Sequence, residues 1–505
     1  MSAFSAMLLA LSIVFVPLDD RPATAQFPQL LSAIAGVHLV EPPAAALGNY
    51  LDPGAPAAIL RWLDVPPPDA TEFVVSNDMI DYGGLVASRI PAVDFATARA
   101  RLAALAAVRA RHSLAAFTVF GSVMRLAPTG VPAIGAAAGF PFAGDVWPLI
   151  QQYAGLPDPP ETSEQEAQAA LLRSQLGSDL DAYLAARARD RDVDLEVLRD
   201  DAAGAFDRAV LGQDDAGPVG LHVADLNVLR AYATRAMPYG RWAIEPGTDE
   251  LGMVLVAAAL VREAGLVPRV RVVYSRPGGE TVQDPFEFAP IATTIADVIA
   301  SCGGVEVAPG APADVDLFVR VPGTSDEDEA RFVEAIASRP WRAAVADLSF
   351  LDEGNPGEQR RLMDELIARR VAGAVDAFAS WNTTANTVGT ALPEAFAVLA
   401  GQRFKKYDAK LHLTFTFMRY VDDVLFQKVV RPQLNADLTA AGVADHSYLL
   451  APDARRAAAE NDALLRPLAL DLLTKIAPAH RVLRLDTSLP WHRTFETRLD
   501  VLLTP

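Results

Sequence analysis

Cysteine is almost absent from this 505-residue chain, which contains a single one, Cys302. One cysteine can form no disulfide within the chain and cannot build a metal site from several thiolates. Because Cys302 stands beside two glycines, we interpret it as a small packing residue. The composition therefore excludes disulfide-stabilised folds and cysteine-ligated metal centres.

Several enzyme signatures are also missing. The seven histidines form no HExxH or HxH pattern, so a histidine-based zinc site has no support in the sequence. The chain contains no GxxxxGKS or GxxxxGKT phosphate loop, no GxGxxG after a strand pattern and no GxSxG. These absences argue against a P-loop nucleotidase, a dinucleotide-binding fingerprint and a nucleophile-elbow hydrolase.

Basic residues are scarce relative to acidic ones. The 44 Lys and Arg stand against 63 Asp and Glu, which gives a formal net charge of −19. Nucleic-acid affinity comes largely from basic contacts to phosphate, so we expect no nucleic-acid partner. No apolar run reaches the about 18 to 20 residues of a spanning helix, so we expect no membrane span. The oligomeric state is left open.

The apolar start of the chain is only partly similar to a secretory signal. Residues 1–16 are apolar, but a basic start is missing, and Asp19, Asp20 and Arg21 precede the Ala-Thr-Ala sequence that a signal peptidase would cleave. A signal peptide normally carries its charge at the start. We therefore interpret Ser12–Pro17 as a first buried strand and expect a soluble protein that is cytoplasmic rather than secreted.

Hydrophobic residues make up 51% of the chain, and many of them form short runs that alternate with longer helical patterns. Such runs, bounded by turn residues and separated by helices, predict an α/β fold of parallel βα units. About eight strands favour a (β/α)8-barrel-like core over an open, doubly wound sheet. The predicted strands are Ile13–Val16, Val37–Val40, Glu72–Ser76, Ala116–Phe120, Val270–Tyr274, Val315–Val321, Ala343–Ala346 and Val375–Phe378.

Two regions depart from this alternation. Residues 160–215 are rich in Ala, Asp, Arg and Glu without a strand pattern, and we interpret them as a helical insertion. From Arg403 onward the chain is mostly helical and ends in a strand-like stretch, Thr494–Leu503. We therefore predict an α/β catalytic core over residues 1–402 and a mainly helical extension over residues 403–505 packed on it.

Polar side chains follow the first and third predicted strands. Ligands of parallel α/β folds bind at the carboxyl ends of strands. Asp19, Asp20 and Arg21 lie between two prolines after the first strand and could hold a hydroxyl or an anion. The alternative for these residues is a helix cap with a surface ion pair.

The stretch after the third strand combines Asn77 and Asp78 with Tyr82, two glycines and Arg89. Glycines let the backbone approach a ligand closely, and amide and carboxylate groups suit hydroxyl recognition. An Asx turn followed by a glycine loop is the alternative. We treat Asn77, Asp78, Tyr82 and Arg89 as candidate substrate-binding residues.

The adjacent acids Asp249 and Glu250 are the candidate catalytic residues. Repulsion between neighbouring carboxylates raises the pKa of one, which can then donate a proton while the other stays ionised. The same two acids begin a helical pattern, Glu250–Glu263, where an acidic cap and an acidic first turn are favoured. The sequence leaves catalysis and capping both open.

Two later strands are also followed by polar residues. Asp347 ends the seventh predicted strand, and Trp381, Asn382 and Asn386 follow the eighth. An indole can stack on the apolar face of a sugar while amides bind its hydroxyls. The alternative is a packed tryptophan with Asn382 or Thr383 capping the next helix.

These segments resemble a bacterial family known as domain-of-unknown-function family 4127. Its motifs are PLDxRP, ND followed by YGG and SR, DExG, and WNTxxNxxGT. A late RFxxD motif is matched with methionine in place of the phenylalanine beside the arginine. The resemblance covers nearly the whole chain and implies family membership without an activity. The matching segments are Pro17–Pro22, Asn77–Arg89, Asp249–Gly252, Trp381–Thr390 and Met418–Asp422.

The Asp-Glu pair is also similar to that of glycosidases that cleave N-acetylhexosamines. That resemblance implies Glu250 as the acid and Asp249 as the residue that orients the substrate acetamide. We therefore expect a cofactor-free, metal-free glycoside hydrolase for a small-molecule or oligosaccharide substrate, in which Glu250→Gln abolishes hydrolysis. The residues expected to hold the sugar are Asp19, Asp20, Arg21, Asn77, Asp78, Tyr82, Arg89, Asp347, Trp381, Asn382 and Asn386.

Two other functions stay open. A divalent-metal hydrolase or lyase could use a cluster of Asp19, Asp20, Asp78 and Asp347, and it would lose activity on chelation. A non-catalytic sugar-binding protein would use the same tryptophan, amide and carboxylate side chains without an acid of raised pKa. Binding of a sugar without turnover would favour this last function.

Overall fold

The computed structural model describes residues 11–129, 146–351 and 358–504. Within these ranges the strands form a six-stranded parallel sheet, a five-stranded parallel sheet and an antiparallel pair. The strands are β1 (Ser12–Val16), β2 (His38–Val40), β3 (Ala70–Ser76), β4 (Ala116–Val123), β5 (Arg208–Gln213), β6 (Trp242–Pro246), β7 (Arg269–Tyr274), β8 (Val305–Glu306), β9 (Val315–Arg320), β10 (Ala343–Asp347), β11 (Ala377–Ala379), β12 (Val482–Ser488) and β13 (Arg498–Leu503).

Helices connect these strands and form most of the C-terminal region. None of the helices in the described ranges is long and apolar enough to cross a membrane. The α-helices are α1 (Phe27–Ile34), α2 (Pro56–Leu63), α3 (Asn77–Asp81), α4 (Leu85–Ser88), α5 (Phe95–Arg111), α6 (Val146–Ala154), α7 (Ser163–Leu176), α8 (Ser178–Ala202), α9 (His222–Ala236), α10 (Leu251–Glu263), α11 (Ile291–Ser301), α12 (Asp326–Ser338), α13 (Glu358–Ala368), α14 (Thr384–Phe404), α15 (Ala409–Arg419), α16 (Arg431–Ala440) and α17 (Ala451–Ile476). Two π-helical segments are Pro22–Gln26 and Tyr420–Val430, and short 3₁₀ turns are Ala44–Ala46, Gly279–Thr281, Pro340–Arg342, Ser349–Leu351 and Pro490–His492.

Both parallel sheets have the same order of strands. The first runs β2-β1-β3-β4-β5-β6 and the second runs β8-β7-β9-β10-β11. In each sheet, the strand that comes second along the chain lies at the sheet edge, next to the strand that comes first. The third strand pairs with the opposite side of the first, and the later strands follow it in order. Such a reversal opens a crevice at the carboxyl ends of the central strands. The predicted parallel α/β architecture is confirmed, and a barrel-like closure stays a prediction.

The central strands of the first sheet are buried on both faces, as β1 illustrates, whereas the edge strand β2 is partly exposed. Its five residues, Ser12–Val16, are all buried. Ile13 and Phe15 pack with α1 and α10 on one face, and Val14 and Val16 pack with α5 on the other. Full burial of one such side chain stabilises the fold by about 1.5–3 kcal/mol. The continuous apolar pattern of β1 is therefore the pattern of a strand covered by helices on both sides.

Each of the eight predicted strands is present, but the predicted insertion needs correction. Residues 160–215 are helical through Ala202, and then Arg208–Gln213 forms β5 in the middle of the first sheet. This strand has only three consecutive aliphatic residues and is followed by two acids. Backbone hydrogen bonds join it to both β4 and β6. Such pairing can stabilise a strand whose own sequence has only a weak strand pattern. Strand β6 was not predicted either.

The C-terminal region packs on the α/β core. Phe318 and Val345 of the second sheet share one hydrophobic cluster with Val424, Leu434 and Leu472. The predicted boundary between residues 402 and 403 falls inside helix α14, so the helix continues across it. The region is mainly helical, and its last strand, β13, forms an antiparallel pair with β12. Cys302, predicted as a packing residue, is fully buried.

Candidate active site

A cavity of about 600 Å³ opens at the carboxyl ends of the first sheet, and its volume is that of a small-molecule site. Its walls come from loops that follow β1, β4, β5 and β6, from a loop around Phe286, and from the C-terminal region. Charged and aromatic side chains dominate the lining. They are Arg21, Arg89, Arg125, Arg493, Asp214, Asp215, Asp249, Asp445, Tyr50, Trp147, Phe286, Trp491 and Phe495.

Arg21 joins the loop after β1 to the loop after β6. Its Nη1 donates to Asp249 Oδ2 at 2.9 Å, and its Nη2 donates to Asp249 Oδ1 at 2.7 Å. The same guanidinium donates to Asp19 Oδ2 from Nη2 at 2.7 Å and from Nε at 3.0 Å. Asp19 also accepts a 2.6 Å bond from the hydroxyl of Thr24. Arg21 is therefore held rigidly by two carboxylates, one of which lines the cavity.

Asp249 is the ionised carboxylate of the cavity. Burial by itself raises the pKa of this group, but Arg21, with smaller effects from Arg89 and Arg493, outweighs burial and lowers the pKa below its ordinary value. The bidentate bond to Arg21 is the geometry in which a guanidinium stabilises a carboxylate best. Asp249 thus stays negatively charged at neutral pH.

Asp214 and Asp215 follow β5, the strand beside β6. Asp214 forms an ion pair with Arg89, whereas Asp215 Oδ2 lies 3.9 Å from Arg125 Nη1. The Asp215 side chain is 37% exposed, and its partial burial, followed by the nearby charge of Asp214, raises its pKa to about 7. Asp249 contributes to the same rise. Two aspartates of the cavity therefore differ in the direction of their pKa shift, which is downward for Asp249 and upward for Asp215.

An aromatic wall faces these carboxyls. Trp491 stacks on Tyr50 with 4.9 Å between ring centroids, and the guanidinium carbons of Arg21 and Arg493 each lie 4.6 Å from the Trp491 ring. The Trp491 indole Nε1 donates to Asp20 Oδ1 at 2.7 Å. Asp20 therefore fixes the orientation of this tryptophan. Tyr50 and Trp491 are both buried, and the two guanidiniums pack against the Trp491 ring, so these rings help to hold the arginines in place at the cavity wall.

Backbone strain coincides with the cavity. Tyr50, Asn382 and Trp491 all line it, and their φ angles are 46°, 54° and 60°. Non-glycine residues with positive φ are uncommon, and they cluster at functional sites because surrounding structure must hold them. In the described part of the chain, only Arg370, Lys405 and His492 share this conformation among non-glycine residues.

A second cavity of about 710 Å³ lies beside the first and shares Pro285, Phe286 and Asn382 with it. Trp381 lines this second cavity, and its indole Nε1 donates to Thr390 Oγ1 at 3.0 Å. Lys428 lies on the same wall and donates to the Ser380 hydroxyl at 2.5 Å. The Trp381 side chain therefore belongs to the neighbouring cavity and not to the cavity that contains Asp249.

Four of the predicted site residues line the first cavity, namely Arg21, Arg89, Asp249 and Asn382. Predicted Glu250 lines neither cavity. It is buried, and its Oε2 accepts a 2.6 Å bond from Nδ2 of Asn386, another predicted residue. Burial, followed by the charge of Asp249, raises its pKa well above the ordinary value.

The capping alternative for the acidic pair is wrong. Helix α10 begins at Leu251, and no side chain caps it. The carboxylate of Asp249 is bound by Arg21 and that of Glu250 by Asn386. The capping alternative for the later motif is correct for Thr383, whose hydroxyl accepts the backbone N–H of Asn386 at 3.3 Å and caps α14.

The remaining predicted residues support the fold around the cavity. Asp78 Oδ2 accepts the backbone N–H and the hydroxyl of Ser122 at 2.8 and 2.9 Å, and Asn77 is fully buried beside it. Tyr82 is buried, with the Arg189 guanidinium 4.4 Å from its ring centroid. These side chains therefore line neither cavity.

Asp347 lies in the second sheet, where it is fully buried and accepts the backbone N–H of Ser349 at 3.0 Å. Asp19 and Asp20 hold Arg21 and Trp491, as described above. Across the described ranges, no group of three or more His, Cys, Asp or Glu side chains is arranged to hold a metal ion. The proposed metal cluster of Asp19, Asp20, Asp78 and Asp347 is therefore not assembled.

Sequence reasoning missed several residues of the cavity. Asp214 and Asp215 follow β5, a strand that was not recognised. Arg125 follows β4, whose end lies at Val123 and not at the predicted Phe120. The rule that strand ends carry ligand-binding residues would have found these residues with correct strand bounds. No local signal marks Trp491, which only the tertiary fold brings to the site.

The fold and this cavity define a parallel α/β protein with an arginine-rich polar site at its strand ends. The chain matches, over residues 13–500, the model of a family described as a protein of unknown function, DUF4127. It belongs to that family, as its motifs predicted. No curated protein and no solved structure matches the chain.

Proposed function

We propose that this protein is a glycoside hydrolase whose catalytic carboxyls are Asp215 and Asp249. One observation carries this assignment: two carboxyls in the loops that follow the adjacent strands β5 and β6 line one cavity, and their pKa values move in opposite directions. Glycosidases need one protonated carboxylic acid and one ionised carboxylate at the scissile bond. Asp215 has the properties of the acid and Asp249 those of the carboxylate.

In the proposed reaction, Asp215 gives up one proton and recovers one from water. Asp215 donates its proton to the glycosidic oxygen as the bond between that oxygen and the anomeric carbon breaks. The negative charge of Asp249 stabilises the positive charge that develops on the sugar ring. Water then supplies the hydroxyl group of the new reducing end, and its remaining proton returns to Asp215. Because this site lies at strand ends, a barrel-like core and an open sheet accommodate it equally well.

This geometry gives less support to the substrate-assisted mechanism for N-acetylhexosamines. It requires Glu250 to reach the leaving oxygen, yet this side chain lines neither cavity and is bound to Asn386. It also requires Asp249 to orient an acetamide, but both oxygens of Asp249 accept bonds from Arg21. We therefore move the acid to Asp215 and keep N-acetylhexosaminides as one substrate class to be tested.

The decisive experiment is a panel of aryl glycosides of both anomers, including N-acetylhexosaminides and uronides. Asp215→Asn and Asp249→Asn are expected to lower kcat by about 10²- to 10⁴-fold, because each removes a group that acts in the transition state. Loss in Asp215→Asn should be smallest for activated aryl leaving groups, which need no protonation. Circular dichroism and melting curves confirm that each variant is folded.

Glu250→Gln is the matched control, because its side-chain oxygen can still accept the bond from Asn386. It is expected to retain turnover. Full activity in Asp215→Asn, or loss of activity in Glu250→Gln alone, would overturn the assignment of the acid. Tight binding of a sugar without turnover by the wild-type protein would replace the hydrolase with a non-catalytic sugar-binding protein.

A further inference from the structure

Arg125 differs from the other arginines of the cavity in its partners. Arg21, Arg89 and Arg493 are each bound to a carboxylate. Arg125 donates from Nε to the carbonyl oxygen of Ala127 at 2.8 Å, and its nearest acid is Asp215 at 3.9 Å. Among the described residues, its two terminal nitrogens have no hydrogen-bond acceptor. A guanidinium that lines a cavity with its terminal nitrogens available can bind an incoming anion.

The charges of the cavity lining point the same way. Four arginines and four aspartates line it. Arg21, Arg89 and Arg493 have their own carboxylate partners, whereas Asp215, at 3.9 Å, is the one acid within ion-pair distance of Arg125 among the described residues. When Asp215 carries the proton that catalysis requires, Arg125 is therefore left without a charged partner. Burial and then the like charge of Arg89 lower the pKa of Arg125. An anion beside Arg125 would offset both effects.

We propose that Arg125 binds an anionic oxygen group of the substrate, so that the substrate is an anionic glycoside. A carboxylate, a sulfate and a phosphate ester share the chemistry that a guanidinium fork recognises. The assignment rests on the proposed function, because it is the protonated state of Asp215 that leaves Arg125 uncompensated.

Asp445 restricts where an anion can lie in the cavity. It lines the same cavity, its Oδ1 accepts the backbone N–H of Ser447 at 2.9 Å, and no arginine pairs with it among the described residues. Its charge disfavours an anion beside it. Selectivity for an anionic substrate therefore depends on Arg125, and one substitution is enough to test it.

The experiment compares aryl glycosides that differ only at carbon 6 of the sugar: hydroxymethyl, carboxylate, 6-sulfate and 6-phosphate. The wild-type protein is expected to hydrolyse at least one anionic member with a kcat/KM about tenfold to a hundredfold above the neutral member, the range of a charge-assisted hydrogen bond. Arg125→Gln is expected to abolish this preference, chiefly by raising KM for the anionic member. Arg125→Lys should retain part of it.

Arg481→Gln is the charge-matched control, because Arg481 is exposed and outside the cavity. Equal hydrolysis of neutral and anionic members by the wild-type protein would overturn the anion site and leave the hydrolase intact. If no member is hydrolysed but a methyl uronide raises the melting temperature of the wild-type protein and not of Arg125→Gln, the anion site stands and the hydrolase fails. Equal effects of Arg125→Gln and Arg481→Gln would also overturn the anion site.

Discussion

At the scale of single residues, Arg21 sets the electrostatics of the cavity. Its guanidinium bonds to Asp19 and Asp249 at the same time, and the charge it supplies overcomes the burial that would otherwise raise the pKa of Asp249. Asp19 has no place on the cavity wall, yet it orients the arginine that does. A residue chosen from its strand-end position can thus act one contact away from the ligand.

Replacing Arg21 with Gln is expected to raise the pKa of Asp249, because the largest effect that lowers this pKa is lost. A higher pKa means that Asp249 becomes protonated at a higher pH as acidity increases. The acidic limb of the kcat/KM profile should therefore move to higher pH than in the wild-type protein. Rates on an active aryl glycoside between pH 3 and 7 measure this shift, with Arg481→Gln as control. An unmoved acidic limb would contradict the role of Arg21.

Sequence reasoning at this scale worked for residues close to a strand end and failed for long-range contacts. Arg21 and Asp249 were both candidates, although 228 positions separate them, because Arg21 follows a predicted strand and Asp249 stands beside a second acid. Trp491 contacts Asp20 across 471 positions, and no pattern near Trp491 resembles a site. Glu250 was assigned a role from its neighbour, but adjacent side chains on a turn point in different directions.

At the scale of elements, the segment between β11 and α14 contains a strained backbone conformation. Asn382 lies there with φ of 54° and lines both cavities. Asparagine tolerates this conformation better than most residues, because its short amide bonds locally. Its Nδ2 donates to Asn386 Oδ1 at 2.6 Å. The strained turn thus places Asn382 at the boundary of the two cavities, with its amide nitrogen bound to Asn386.

Comparing Asn382→Gly with Asn382→Ala distinguishes the effect of losing the side-chain amide from the effect of the positive φ angle. Both variants lose the amide, but only alanine has a Cβ atom that is sterically strained at positive φ. We expect the free energy of unfolding of Asn382→Ala to be lower than that of Asn382→Gly by about 1 kcal/mol. Urea unfolding measures the difference, and both variants should show the same rise in KM. Equal stability would contradict the strain at this turn.

Elements with a strong local pattern were the ones predicted. Strand β1 and helix α12 were recognised because their apolar periodicity matches their burial in the structure. Strand β5 was missed because its formation depends on hydrogen bonds to β4 and β6, which a single segment does not reveal. That omission also hid Asp214 and Asp215. An error in one strand therefore became an error in the site.

At the scale of the whole molecule, the C-terminal region completes both the core and the cavity. Its side chains share a hydrophobic cluster with the second sheet, and it supplies Asp445, Trp491, Arg493 and Phe495 to the cavity wall. The repeated strand order of the two sheets is equally a property of the whole chain. No repeat is visible in the sequence, because strand order follows from packing and not from residue identity.

A chain that ends at Phe404, the last residue of α14, is expected not to fold cooperatively. It lacks the partners of Phe318, Val345 and Phe378 in their shared cluster and exposes a large apolar face. Near-ultraviolet circular dichroism and size-exclusion chromatography check this expectation against the full chain. A monomeric fragment with a sharp unfolding transition would show that residues 1–404 form an independent domain.

The most direct test of the two-carboxyl site is the pH dependence of kcat/KM on an aryl glycoside with a poor leaving group. The pKa of Asp215 is raised to about 7, so its proton is lost above that pH and the rate should fall about tenfold per pH unit. We predict this alkaline limb near pH 7 in the wild-type protein and its absence in the residual activity of Asp215→Asn. An alkaline limb that persists unchanged in Asp215→Asn would contradict Asp215 as the proton donor.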